Sequence, residues 1–322
     1  MSLLLLQAQP GTLFTDLVRF SLIAIMLGRL RMSTEEALRE YDTCAEKIFS
    51  FGNKKWSTAT EKFRATALQD AVRDLVRRRD MGEELYDQTA RHNSKGKCFV
   101  CTMPAKEVGE PWRLRSFYSE SGQFDSRVKI WDAARATTAA TFYFKPTPLP
   151  LLKGGTGDFL DAAIGCNNPA EFVIKEAADC IGSSKRLGCL ISIGTGTRLV
   201  QMEREPPGLT NYFRLPRFLK SVVGTLKNTA TDGEGTHRRL SDKLGGNPGA
   251  YFRFNIPDAA AQVSLDEYHK MDILKAITAT HLDDPSVAAQ VLAAAAALGC
   301  KSPAHVLSLG HIGENEHAAG SW

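Results

Sequence analysis

Leu190-Ile191-Ser192-Ile193-Gly194-Thr195-Gly196 is the stretch whose reading decides the fold. A short apolar run closed by Gly-Thr-Gly is the pattern of a buried strand that enters a loop. Just upstream, Asn168-Pro169 opens a helix: Asn168 suits the N-cap, Pro169 the first helical position and Glu171 the third, and the periodicity carries the helix to about Ile181. Helix followed by buried strand is the repeating unit of an α/β sheet.

Working outward, apolar residues return at helical spacing from Ser33 to Phe49, where Ser33 and Glu36 have the spacing of a capping box. A second helix is predicted from about Thr58 to Arg78, with Phe63, Leu68, Val72, Leu75 and Val76 on one stripe. Strands are predicted at Cys98 to Thr102 and Trp112 to Tyr118, then a helix from Lys129 to Ala140. A glycine-rich loop from Leu151 to Gly157 leads into Asp158-Phe159-Leu160-Asp161. Beyond Pro206 the character turns helical (Phe213 to Asn228, Gly235 to Leu244, Met271 to His281, Ser286 to Leu298), with one strand at Tyr251 to Ile256.

The chain has 322 residues, enough for one large α/β domain or a domain with a helical extension. Its formal charge of +4 comes from 40 Lys and Arg set among 36 Asp and Glu, which leaves no nucleic-acid footprint. The tightest basic run, Arg77-Arg78-Arg79, reads as a solvated helix end. Seven scattered cysteines fit a reducing compartment better than a disulfide framework. Cys98 and Cys101 form a C-x-x-C, but on a strand residues three apart point to opposite faces, against metal or redox chemistry. Leu3 to Leu6 is short for a secretory leader, and the apolar stretch Leu13 to Leu27 is broken by Asp16 and Arg19, so a soluble cytoplasmic protein is expected.

Familiar catalytic and cofactor signatures are largely missing. Gly194-x-Gly196 would need a third glycine at position 199 to be a dinucleotide fingerprint, and Leu199 stands there. The sequence contains no phosphate-binding G-x-x-x-x-G-K-[ST]. Seven histidines show no metal-binding pairing and are expected at the surface, and no serine has the glycine flanks of a G-x-S-x-G elbow.

Three segments in order carry a sharper signal: Ile130 to Ala140 followed by Phe144-Lys145-Pro146, then Asp161-Ala162-Ala163-Ile164-Gly165-Cys166-Asn167-Asn168-Pro169, then Leu190 to Thr197. Together they closely resemble the patatin-like lipid acyl hydrolases, whose "DGA/DGG…NNP" box is followed by the same strand. Tyr251-Phe252-Arg253-Phe254-Asn255 with Leu265-Asp266-Glu267-Tyr268 further resembles the fungal branch, and the likeness runs from about Asp16 to Leu282. It implies a three-layer α/β/α fold over residues 12 to 282, with a helix and tail from 283 to 322.

In that family a serine on a strand-to-helix turn attacks a lipid ester, and the boxed aspartate takes its proton without a histidine, a metal or calcium. The resemblance places Asp161 as that base; a turn carboxylate capping nearby N–H groups is an equal reading of the same residue. It also implies a lipid or membrane surface as partner, and no nucleotide or nucleic acid. Where the family shows "DLIGGTSTGGLIAIMLGRLRMS", this chain runs from Asp16 to Ser33 with matching flanks, but Arg19-Phe20-Ser21 replaces the glycine-serine turn. Gly11 is the sole glycine before Asp16, so the oxyanion loop and first family strand have no counterpart either. A hydrolase homologue inactive as written is therefore expected. Its alternatives are a non-catalytic lipid-binding or interaction module, or a truncated gene model.

Overall fold

The computed structural model describes residues 3–6, 21–54, 63–87, 97–106, 109–139, 144–162, 166, 168–194, 232–256, 268–299 and 307–313. The elements run as β1 (Leu3–Leu6), a helical stretch from 21 that ends in a π-helical turn (Ile25–Arg29), α1 (Thr34–Phe49), α2 (Ala65–Arg78), β2 (Phe99–Pro104) and β3 (Trp112–Arg115). Next come α3 (Ile130–Thr137), β4 (Thr147–Pro150), β5 (Thr156–Asp161), α4 (Ala170–Ile181), β6 (Leu190–Ile193), α5 (Asp232–Leu244) and β7 (Tyr251–Phe254). Three helices close the order: α6 (Met271–Leu282), α7 (Pro285–Gly299) and α8 (Leu309–Gly313). The expected helix at Phe213 to Asn228 lies outside the described residues.

The fold is mixed α/β, and its strands divide between two sheets. One is parallel in the order β1-β6-β7; the other is antiparallel in the order β3-β2-β5-β4. Leu190–Ile193 is the central strand of the parallel sheet, as its apolar run requires. Leu3–Leu6 pairs with it in parallel, Leu3 opposite Leu190 and Leu6 opposite Ile193. Leu3–Leu6 thus pairs the edge of β6 opposite β7, where no counterpart to the first family strand was expected.

Side-chain alternation assigns the two faces of the antiparallel sheet. On one face Thr102, which pairs with Asp161, lies with its Oγ1 3.4 Å from the Ala136 carbonyl of α3. Val100, Leu114, Leu149 and Phe159 join the main core there with residues of α1, α2 and α3. On the other face Cys101 packs with Ala162, Cys166 and Phe172, while Arg113 and Arg115 reach Glu176 on α4. Helix, sheet and helix form the three expected layers.

Local sequence explains the element ends. Ser33 caps α1 with the full box: the Glu36 N–H donates to Ser33 Oγ at 3.1 Å, and the Ser33 N–H donates to Glu36 Oε2 at 2.9 Å. Helix α2 begins at Ala65 and not near Thr58, because Phe63 is held in an antiparallel bridge with Lys54 and the Arg64 N–H donates to the Asn53 carbonyl. The basic run at its end ties α2 to α1 through Arg78–Glu40 at 2.6 Å and Arg79–Glu36 at 3.2 Å. Strand β3 ends at Arg115, short of Tyr118. Pro148 and Pro150 lie on β4, an edge strand, where a missing N–H costs least.

The flank after Ser21 is scaffold. Ile25, Met26 and Leu30 are fully buried. Gly28 sits so close to Cys98 that a Cβ would lie 2.5 Å from the Cys98 Cβ. Buried Arg29 donates to the carbonyls of Gly82, Glu84 and Leu85, closing the backbone of that crossing segment.

Candidate functional site

Asp161 is the last residue of β5 and is 1% exposed. Its N–H donates to the Ala139 carbonyl at 3.2 Å, and it stands opposite Thr102 on β2. Thr102 is itself tied down, donating from Oγ1 to the Leu160 carbonyl at 2.7 Å. The backbone of Asp161 is therefore fixed from two sides, by the residues after α3 and by β2. Asn168, just below in the same box, accepts the Ala170 N–H on its Oδ1 at 3.0 Å, but the N-cap of α4 is Pro169, one residue later than expected.

Ser21 comes to the same region from a different part of the chain. It is 8% exposed, and its Oγ lies 2.8 Å from Thr137 Oγ1, which lies 2.6 Å from the Cys101 carbonyl. Thr137 has one hydroxyl hydrogen and a carbonyl can only accept, so a fully bonded chain runs from Ser21 through Thr137 to Cys101. Cys101 precedes Thr102, the partner of Asp161. Ser21, through Thr137, and Asp161, through its backbone pairing, thus meet the same strand, β2. Nothing in the sequence singled out Thr137, because a threonine ending an alanine-rich helix carries no motif.

What this arrangement can do follows from its groups. A buried carboxylate within hydrogen-bond reach of a hydroxyl is a general base, but acyl transfer also needs an exposed nucleophile and donors for the oxyanion. Ser21 is flanked by Phe20 and Leu22, not by the glycines a strained elbow requires. Thiols do not substitute: burial pushes Cys98 up to about 12 and Cys44 up to about 11, which keeps both protonated at neutral pH.

The remaining candidates fall elsewhere. Cys98 and Cys101 have different surroundings: the Cys98 thiol donates to the Ala24 carbonyl at 3.1 Å, whereas Cys101 packs near α4. His237 departs from the expected surface placement. It is half-buried, with Nδ1 3.0 Å from the Tyr251 hydroxyl, and burial together with the nearby Arg253 charge lowers its pKa. His269 and His311 are exposed, while His92, His305 and His317 lie outside the described residues. Gly194 has a packing reason: a Cβ there would meet the Asn255 side chain and would lie 2.6 Å from the Arg253 guanidinium.

Residues 21–174 match the family described as patatin-like phospholipase. Among curated proteins, calcium-independent phospholipase A2-gamma of Homo sapiens is 27% identical over 258 residues, covering 77% of this chain and 30% of that protein. Patatin-like phospholipase 1 of Plasmodium falciparum is 25% identical over 218 residues, covering 59% of this chain and 31% of that protein. Phospholipase A I of Arabidopsis thaliana is 29% identical over 153 residues, covering 47% and 10%. The chain spans less than a third of the length of these relatives.

Proposed function

We propose that this domain keeps the base side of a lipid acyl hydrolase and, as the chain stands, does not turn over its ester. The family match suggests lipid acyl hydrolysis as the ancestral chemistry. In that chemistry the base carboxylate takes the serine proton as the serine oxygen attacks the acyl carbon, and backbone donors hold the oxyanion that forms. Asp161 fills the first role. The observation that carries the reading is the state of Ser21: buried, bonded to Thr137 and without glycine neighbours, it offers no free hydroxyl to an incoming ester. A membrane or lipid surface is the proposed partner, and the match at Tyr251 to Asn255 supports the fungal branch.

One observation favours a second reading, in which Ser21 is the nucleophile. It lies in a helical stretch and is linked through Thr137 to the strand that pairs with Asp161. Hydrolysis of a phosphatidylcholine and of a nitrophenyl ester by the unaltered chain, Ser21→Ala and Asp161→Asn separates the two. The proposal expects the same background rate in all three. Turnover by the unaltered chain that is lost in both variants establishes the second reading.

A further inference from the structure

A cleft of about 380 Å³ lies beside β3, on the segment between β3 and α3 and on the tip of the β4–β5 hairpin. That volume is within the range of ligand pockets, roughly 300–1,000 Å³. Its walls are mostly apolar: Leu85, Phe117, Phe124 and Val128 line it, and Tyr118 and Leu152 flank it at 61% and 60% exposed. Large apolar side chains that exposed seldom share one concavity without a purpose.

Its polar lining is mixed: Arg113 and Arg115 stand with Ser119, Gln123, Asp125 and Ser126. Arg115, which lines the cleft, donates from Nη2 to Ser121 Oγ at 3.3 Å, and Ser121 Oγ is 3.0 Å from Ser119 Oγ, also at the cleft. Arg113 and Arg115 share the single carboxylate of Glu176 at 2.6 and 2.5 Å, all three buried. The second acid on Arg113 is Glu110, whose side chain is 58% exposed and also pairs with Lys175. Asp125 is matched by Arg127, and Lys97 lies over the Phe117 ring at 5.5 Å. Glu120 and Lys153 are both exposed. The cleft therefore combines an apolar wall, two hydroxyls and an excess of positive charge.

We propose that this cleft binds a fatty carboxylate, with its chain along Leu85, Phe117, Phe124 and Leu152 and its head toward Ser119 and Arg115. A carboxylate complements the guanidinium and hydroxyl donors, whereas an uncharged ester lacks the charge they select. The site is separate from Asp161. Arg115 extends toward α4, while Thr102, opposite Asp161, lies toward α3 across the sheet. Neither binding nor its test requires ester hydrolysis.

Calorimetric titration of the full chain with laurate, kept monomeric, tests this. One saturable site is expected, with methyl laurate and dodecylphosphocholine each at least about tenfold weaker. Leu152→Asp is expected to weaken laurate about tenfold and Ser119→Ala about threefold, with unchanged circular dichroism melting because both residues are at the surface. Tyr118→Asp reads the same wall if Leu152→Asp fails to fold. Laurate and methyl laurate binding equally overturns the proposal, as does undiminished laurate affinity in the aspartate variants. Binding to phosphatidylcholine vesicles without binding of monomeric laurate also overturns it, in favour of a membrane-docking face. Failure here leaves the reading of Asp161 untouched, because no ester bond is made or broken in the assay.

Discussion

Glu176→Gln removes the one carboxylate that holds two arginines inside the protein. In the native chain Glu176 accepts from Arg113 Nε at 2.6 Å and from Arg115 Nε and Nη2, both at 2.5 Å, with side chains only 4–6% exposed. An amide keeps one acceptor oxygen but turns an NH2 toward guanidinium donors, so at least one charge-assisted bond is lost. A buried cation is then left without its counterion. Breaking a buried pair from one side costs about 3–5 kcal/mol, far more than the surface pairs of this protein contribute. Arg113 keeps Glu110, which places the expected loss near the lower end, about 3 kcal/mol. In native Arg113, burial opposes the charge, but Glu110 and Glu176 outweigh it and hold its pKa above the ordinary value. Urea unfolding followed by circular dichroism at neutral pH measures the change, and at about 2 °C per kcal/mol the melting temperature falls by about 6 °C. A loss below about 1 kcal/mol refutes the reasoning, because it means the arginines reach water without the carboxylate.

Gly28→Ala places a methyl 2.5 Å from the Cys98 Cβ and 2.8 Å from its Sγ, and is expected to cost about 1–3 kcal/mol in urea unfolding. Cys98→Ala does not rescue it, since the Cβ remains, whereas Cys98→Gly relieves the clash. Cys98 itself, pushed up to about 12 by burial, is expected to resist iodoacetamide at pH 8 in the native state and to react after unfolding, read by mass spectrometry. Ser33→Ala opens the capping box and is expected to cost about 1 kcal/mol in thermal melts. The backbone hydrogen bond from Ser33 lowers the Glu36 pKa below its ordinary 4.5. That contribution is present above the ordinary value and is lost as pH falls through the lowered one, so the unfolding curves of native and Glu36→Gln chains should converge in acid, whereas Ser33→Ala, which keeps the backbone N–H, should stay below the native chain there.

Elements whose signal is local were legible in the sequence. The Ser33 box and the buried strand Leu190–Ile193 each depend on neighbours in the chain, and each stands where its residues place it; the helix after Asn168 is capped one residue late, at Pro169. Features made by distant partners were not. The late start of α2 depends on a bridge between Lys54 and Phe63, and the pairing of Leu3–Leu6 needs a strand far along the chain. At the site, Asp161 could be named from its box. Its neighbourhood with Ser21 could not, because that arises through Thr137 and the register of β2 on β5. The arginine pair around Glu176 was also hidden, since residues of alternate parity on a short strand look like an ordinary exposed face until a helix covers them.

Ser21 is proposed to be incompetent to attack an ester. Labelling of the unaltered, folded chain with a fluorophosphonate, followed by peptide mass spectrometry, tests it most directly, since the probe forms a covalent adduct with an activated serine whatever the natural lipid. The expected result is no adduct beyond that on the heat-unfolded chain. An adduct on Ser21 that disappears in Asp161→Asn would contradict the account and make Ser21 and Asp161 a working catalytic pair.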